Sequence, residues 1–278
     1  MKRRIQLPFA LLLCTLLSHC SQLPAPPQPK WLPSPAAVAI HQFNQNASIR
    51  LTLDSSEVQL APWALHFDTV SLQDVALLPY LRMLQQELGK YPTELLEASG
   101  LKQILLVRDL SVGGQPRLAV PDYVNEVLIY DISHGDMTFN RHVVHHEFYH
   151  MLEQELYGSA FYRDPLWLPL KPEEFRYGKG GAYARASDDA AFSHPLQGFI
   201  NHYAMSGLEE DKAELWTILW ADASWQQVKP LLLQDQLLRD KLQLLVYQIG
   251  CLAPEIRPRL AHRLSKLDLP FIACVQRE

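Results

Sequence analysis

The chain has 278 residues, of which 48% are hydrophobic and 20% are charged, and this is the composition of an ordinary globular protein. Its formal net charge at pH 7 is -5, so the overall charge gives no reason to expect nucleic-acid binding. The length allows one sizeable globular unit or two lobes around a cleft.

The first 20 residues have the outline of a secretory signal peptide. Basic residues precede an apolar run from Leu7 to Leu17, and the segment ends at Cys20. The run is too short to span a bilayer as a stable helix. The last four residues resemble a lipobox, in which Cys20 is lipidated and becomes the mature N-terminus, although His19 departs from the small residue expected there. An ordinary cleaved signal is the alternative.

Prolines crowd the stretch that follows Cys20. We interpret residues 21–37 as a stiff, unpacked tether, and residues 38–278 as the folded domain. Ser21 stands where inner-membrane lipoproteins carry aspartate, so the lipoprotein resemblance implies the outer membrane. We therefore expect a lipid-anchored protein of the bacterial cell envelope that faces the periplasm or the exterior.

The first predicted elements of the domain are a hairpin and a helix. Alternating apolar residues in Ser48–Leu53 and Glu57–Leu60 indicate two strands joined by a turn at 54–56. A helix is predicted to open near Pro79, a residue favoured in the first turn, and to end at Gly89.

Two strands and a long helix are predicted next. The apolar run Gln103–Asp109 indicates a buried strand, and Gly113-Gly114 indicates a turn. The segment Asn125–Ser133 is rich in β-branched and aromatic residues and indicates a second strand. Asn140 is a candidate N-cap for a helix from Arg141 to about Leu156.

This helix carries the pattern H-E-x-x-H as His146, Glu147 and His150. Positions i and i+4 project from one helix face, so both imidazoles can reach one metal ion at about 2.0 to 2.1 Å. Glu147 then lies beside the ion, where it can take a proton from a water molecule that the ion has made more acidic. The alternative is a partly buried polar face without metal. We interpret three nearby histidines as structural: His134, His142 and His145.

A long segment between Gly158 and Gly207 has weak periodicity and is rich in aromatic residues and glycine. Such a length without regular structure is usually functional or disordered. It is either an ordered wall facing the substrate or a structural cover for the C-terminal lobe.

A third metal ligand is expected further along the chain, because a catalytic zinc takes three protein ligands and leaves the fourth position open. Leu208–Ala221 is predicted to form an amphipathic helix, with Glu210 and Glu214 one turn apart on one face. One of them could bind zinc while the other holds a ligating histidine. An acidic first turn is also favoured by the helix dipole alone.

The remaining chain is predicted to be helical, with leucines that build the core of a C-terminal lobe. The predicted segments are Trp225–Leu233, interrupted by Pro230, then Gln234–Ile249 and Pro258–Leu267. In an oxidising compartment Cys251 and Cys274 could form a disulfide. Two buried free thiols are the alternative.

The motifs together resemble a known family. The run H-E-F-Y-H at 146–150, followed by a tyrosine at Tyr203 and the pattern E-D-x-A-E from Glu210 to Glu214, is similar to the bacterial "putative zinc-binding metallopeptidase" lipoproteins. These are zincins whose third zinc ligand is a glutamate, and they are more distantly similar to the catalytic domain of anthrax lethal factor. The resemblance covers Tyr123 to Trp220.

The resemblance implies an α+β fold of the zincin type. Its N-terminal lobe, to about residue 157, would contain a mixed sheet and the active-site helix, and its C-terminal lobe would be helical. One Zn²⁺ per chain would be held by three residues: His146, His150 and Glu210. Glu214 would hold a ligating histidine, and Tyr203 would support the oxyanion.

The predicted activity is hydrolysis of a peptide or protein substrate, with Glu147 as the general base that passes its proton to the leaving amine. An extended peptide could pair with the strand that precedes the active-site helix. One alternative function is a zincin-like binding module of the envelope without turnover, and another is a metal-dependent amidase that acts on cell-wall peptides.

Overall fold

The computed structural model describes residues 33–184 and 191–274. The chain from Ser34 onward packs as one compact unit. The predicted signal peptide, the lipidation site Cys20 and residues 21–32 of the predicted tether lie outside the described residues. In the described ranges every helix is too short or too polar to cross a membrane.

The first helix, α1, spans Pro35–Asn46, so the folded part begins inside the stretch predicted as tether. The side chain of Ser34 accepts a hydrogen bond from the Ala37 amide at 3.1 Å and caps the helix. Pro35 fits the first helical position, because its missing N–H would have no partner there. The predicted boundary at residue 37 is therefore a few residues too late.

The N-terminal half of the structure contains a six-stranded mixed sheet. Its strands are β1 Arg50–Thr52, β2 Leu65–Thr69, β3 Gln103–Val112, β4 Gln115–Pro116, β5 Ala119–Asp122 and β6 Val127–Asp131. The long strand β3 is central: β1 and β6 pair with it in parallel, and β2 and β4 pair with it antiparallel.

The strand β6, which precedes the helix carrying H-E-x-x-H, pairs with β3 on one side and antiparallel with β5 on the other. Its backbone groups are therefore already used, and the expectation that a peptide adds to this strand is wrong. Within the described residues, β5 forms that edge of the sheet and leaves one side unpaired.

The predicted hairpin near the start is also wrong. Arg50 pairs with Gln103, so β1 lies parallel to a strand about fifty residues away. Ser55–Glu57 forms a 3₁₀ turn, capped by the side chain of Asp54, and the rest of the predicted second strand is irregular. Here the alternation of apolar and polar residues over four positions reflects which side chains are buried and does not indicate a paired strand.

The longer helices are α2 Leu77–Leu88, α3 Thr93–Ala98, α4 Met137–Tyr157, α5 Leu208–Trp220, α6 Asp222–Gln234, α7 Gln236–Leu252 and α8 Ile256–Ser265. The end of α2 at Gly89 agrees with the prediction. Pro230 lies inside α6 without ending it, so the predicted interruption is wrong. The α+β fold, with an N-terminal mixed sheet, a helix carrying H-E-x-x-H and a helical C-terminal region, is confirmed.

Helix α4 begins earlier than predicted. Its N-cap is Asp136, whose Oδ1 accepts hydrogen bonds from the amides of Thr138 at 2.8 Å and Phe139 at 3.2 Å. Asn140 lies inside the helix, and its amide donates to the His134 carbonyl at 2.9 Å. Asp and Asn both cap helices well, and in this helix Asp136 is the N-cap.

Helix α5 was predicted to be amphipathic, but every one of its residues is buried. Its charged side chains therefore need buried partners. Lys212 Nζ lies 2.7 Å from Glu153 Oε1 of α4, with both side chains fully buried. Lys241 of α7 lies 2.7 Å from Asp211. These ion pairs fix α5 against α4 on one side and α7 on the other.

Two described aromatic residues of the segment between Gly158 and Gly207 pack over α5. Trp167 Nε1 and Tyr177 Oη both donate to Asp211 Oδ2, at 2.9 and 2.6 Å, and Trp167 is fully buried. Cys251 of α7 and Cys274 form a disulfide, which is one of the two states that the sequence allowed.

We predict that Lys212→Met lowers the free energy of unfolding by about 3 to 5 kcal/mol, because it leaves the Glu153 carboxylate buried without its partner. Urea unfolding followed by circular dichroism measures this change. The control is Lys102→Met, which breaks an exposed pair with Glu126 and should cost less than about 1 kcal/mol. Equal losses in the two variants would contradict the prediction.

Candidate metal centre

The candidate centre lies where α4 and α5 pack together. Helix α4 contributes His146 and His150 one turn apart, and α5 contributes Glu210; all three are about 95% buried, with 5% or 6% of each residue exposed. Glu147 is adjacent on α4 and is partly exposed. The structure thus brings together the three residues predicted to hold the metal.

Three ligand atoms form a nearly regular triangle. His146 Nε2 lies 2.9 Å from Glu210 Oε2, His150 Nε2 lies 3.5 Å from the same oxygen, and the two Nε2 atoms are 3.2 Å apart. A tetrahedral site with bonds of about 2.0 to 2.1 Å requires ligand atoms about 3.3 Å apart. The donor set therefore fits a metal ion with shifts of only a few tenths of an ångström.

Glu214 takes a different position, behind His146. Its Oε1 accepts from His146 Nδ1 at 2.9 Å and its Oε2 accepts from Asn201 Nδ2 at 2.6 Å. A carboxylate on Nδ1 fixes the tautomer whose Nε2 lone pair points at a metal. Of the two glutamates that the sequence left open, Glu210 lies in the triangle and Glu214 orients a member of it.

The pKa values of Glu147 and Glu210, two carboxyl groups of the centre, shift in opposite directions. Burial raises the pKa of Glu147 above its ordinary value, against the opposing charges of His146 and His150. Burial also acts to raise the pKa of Glu210, but the charge of His150 and hydrogen bonds from both histidines outweigh it and hold that pKa below the ordinary value. Glu147 is thus the more basic of the two carboxylates.

Tyr203 lies beside the centre, with its ring centroid 5.6 Å from that of His146. Burial, followed by the charge of Glu210, raises its pKa well above the ordinary value, so its hydroxyl stays neutral and can donate a hydrogen bond. Its support of an oxyanion stays a prediction.

A glycine segment, residues 178–181, runs against the same side chains. The amide of Gly178 donates to the Met205 carbonyl at 3.1 Å, and the amide of Gly180 donates to the Ser206 carbonyl at 2.7 Å. A Cβ added at Gly181 would lie 2.6 Å from Tyr203 Oη and would overlap Glu210 Oε1. Only glycine lets the backbone approach this closely.

Two of the histidines interpreted as structural have definite partners. His145 Nδ1 lies 2.6 Å from Tyr91 Oη and its Nε2 lies 2.8 Å from Glu87, and burial lowers its pKa to about 4. His142 is different, because its Nε2 lies 2.8 Å from Glu214 Oε1. It therefore reaches the centre through that carboxylate.

Sequence reasoning missed the connections of His142, Asn201 and Gly181 to the centre. A signal for His142 was present, since it lies one turn before His146 on the same helix face. Asn201 and Gly181 come from a segment without periodicity, where spacing says nothing about which residue reaches the centre.

We predict that Gly181→Ala weakens metal binding by about tenfold or more, because the added methyl group displaces Glu210 or Tyr203. Competition with a chromophoric chelator measures the dissociation constant. Gly135→Ala is the matched control, since no described atom lies within 4 Å of a Cβ at that position. Equal metal affinity in the two variants would rule out the role of Gly181.

We also predict that metal binding near pH 7 releases protons. Burial acts to lower the pKa of His146, but hydrogen bonds to Glu210 and Glu214 raise it well above its ordinary value. A metal needs the neutral imidazole, so affinity should rise with pH until His146 loses its proton. Titration calorimetry in two buffers of different ionisation enthalpy counts the protons, and a buffer-independent heat would refute the prediction.

No protein-family model matches this sequence, and no curated protein matches it significantly. Among solved structures, the chain is similar to a Bacteroides caccae protein described as a "putative zinc-binding metallo-peptidase". The two share 16% sequence identity with a TM-score of 0.43, over 82% of this chain and 90% of that chain. This similarity is too distant to identify the activity, which has to follow from the site itself.

Proposed function

We propose that this protein is a zinc-dependent metallopeptidase of the zincin type, in which His146, His150 and Glu210 hold one Zn²⁺ per chain. The observation that carries the proposal is the buried triangle of two imidazole nitrogens and one carboxylate oxygen, with edges of 2.9, 3.2 and 3.5 Å. Three ligands with an open fourth position are the arrangement of catalytic zinc.

The chemistry of the donor set supports zinc over calcium and magnesium. Calcium and magnesium prefer oxygen ligands alone, whereas two imidazoles and a carboxylate suit zinc. Glu214 and Asn201 hold His146 in the required tautomer, and this is the usual support of a zinc-binding histidine.

Two residues of the chain and the metal ion would divide the work of hydrolysis. Zinc, when bound, supplies a Lewis acid and lowers the pKa of water towards about 7. Glu147, made more basic by burial, accepts the proton of the attacking water and passes it to the leaving amine. The neutral Tyr203 hydroxyl donates to the oxyanion that develops on the substrate carbonyl.

The substrate we propose is an extended peptide that pairs with the open edge of β5. Asp131 N donates to Leu118 O at 2.8 Å, so the alternating pattern turns the backbone groups of Ala119 and Pro121 towards the open side. Pro121 has no N–H to donate. A peptide on this edge would therefore find a donor at Ala119 and only an acceptor at Pro121.

We further propose, from the sequence of residues 1–37, that the protein is exported and attached to the bacterial outer membrane through lipid on Cys20. The basic start, the short apolar run and the cysteine at its end support export. The proline-rich stretch after Cys20 would hold the enzyme away from the membrane surface.

We predict that Glu147→Gln retains zinc and loses peptide hydrolysis, because the amide keeps the shape of the carboxylate but cannot accept the proton. His150→Ala should lose both, since it removes a ligand of the triangle. Zinc content by mass spectrometry and cleavage of a quenched fluorescent peptide library measure the two properties.

The possible results distinguish a zinc peptidase from a binding module and from a protein that binds no zinc. Hydrolysis by Glu147→Gln at the wild-type rate would overturn the mechanism. A wild-type protein that holds zinc, captures a partner stoichiometrically and cleaves nothing would favour the binding module without turnover. A wild-type protein that binds no zinc, even after zinc is added without chelators, would overturn the proposed function.

A further inference from the structure

A second buried cluster adjoins the candidate metal centre. Ligand atoms of His142, His146 and Glu214 all lie within 4.8 Å of one another, which is close enough to suggest a second metal site. The two clusters share His146, whose Nε2 lies in the first triangle, and a neutral imidazole has only one nitrogen lone pair for a metal. In the second cluster Glu214 Oε1 instead accepts from His142 Nε2 at 2.8 Å and from His146 Nδ1 at 2.9 Å. The cluster therefore serves another purpose.

The arrangement of protons in this cluster follows from its partners. An ionised carboxylate only accepts hydrogen bonds, so His142 donates through Nε2 and His146 donates through Nδ1. The Nδ1 of a neutral His142 is then an acceptor, and Ser224 Oγ of α6 lies 3.3 Å from it. The chain of donors runs from Ser224 through His142 to Glu214 and leaves the His146 Nε2 lone pair for a metal.

We propose that His142 is a positioning residue that holds the Glu214 carboxylate in the orientation needed to present His146 Nε2 to the metal. This inference rests on the proposed function, because it assigns a role within the same metal centre. His142 touches neither the proposed metal position nor the substrate, and it acts through Glu214.

The contacts of Glu214 explain why His142 matters. Asn201 holds Oε2 at 2.6 Å, and His142 together with His146 holds Oε1, so rotation of the carboxylate would break bonds at both oxygens. His142 and Ser224 are each 6% exposed and Glu214 is 1% exposed, so bulk water has little access to replace a lost donor. Phe139, with its ring stacked 5.9 Å from the His142 ring, limits the movement of that ring.

The test is the zinc affinity of the full chain carrying His142→Leu, His142→Gln or His142→Asn, measured by chelator competition. The leucine variant should bind zinc about tenfold or more weakly, in line with losses at residues that support ligands. Glutamine should restore affinity to within about threefold, because its amide nitrogen can take the place of His142 Nε2. Asparagine is one methylene shorter, cannot reach Glu214 and should behave like leucine.

The matched control is His145→Leu, which removes another buried imidazole of the same helix, bonded to Glu87 and not to Glu214. Its zinc affinity should equal that of the wild type. The visible spectrum of the Co²⁺-substituted protein gives a second readout: it should change in His142→Leu and match the wild type in His142→Gln.

The possible outcomes test the positioning role of His142 and the proposed function separately. Wild-type zinc affinity in both His142→Leu and His142→Asn would overturn the positioning role. Equal losses in His142→Gln and His142→Asn would also overturn it, because reach to Glu214 would then not matter. Should His142→Leu fail to fold, the Gln and Asn pair decides alone. A wild-type protein without zinc would overturn the proposed function, and this inference with it.

Discussion

The contact between α4 and α5 is the constraint on which the rest of the structure depends. Both helices carry ionisable side chains into a region that water hardly reaches, where an unpaired charge is costly. Three carboxylates of α5 therefore meet a cation or an imidazole: Asp211 meets Lys241, and Glu210 and Glu214 meet histidines of α4. The same pairing that makes burial tolerable also gathers the groups of the candidate centre.

Local signals predicted much of the fold. Helix α2, strand β3 and the helix carrying H-E-x-x-H follow from periodicity and end signals within single segments. The failures have non-local causes. The pairing of β1 with β3 joins distant parts of the chain, and the complete burial of α5 results from neighbours on all sides that its own sequence does not reveal.

In the candidate site, too, local geometry was predictable from the sequence and contacts between distant residues were not. The positions of His146 and His150 on one face were predictable, because i and i+4 on a helix are fixed by geometry. The choice between Glu210 and Glu214 was not, since both lie on one face of α5. The structure separates them through His146, which faces Glu210 with Nε2 and Glu214 with Nδ1.

The distance along the chain between the two halves of the centre affects how the protein matures. His146 and Glu210 are 64 residues apart in sequence, and contacts of such long range form late compared with local helix formation. A nascent or partly folded chain would carry the H-E-x-x-H helix without its third ligand. The proposed hydrolytic capacity would therefore arise only after the C-terminal half has docked.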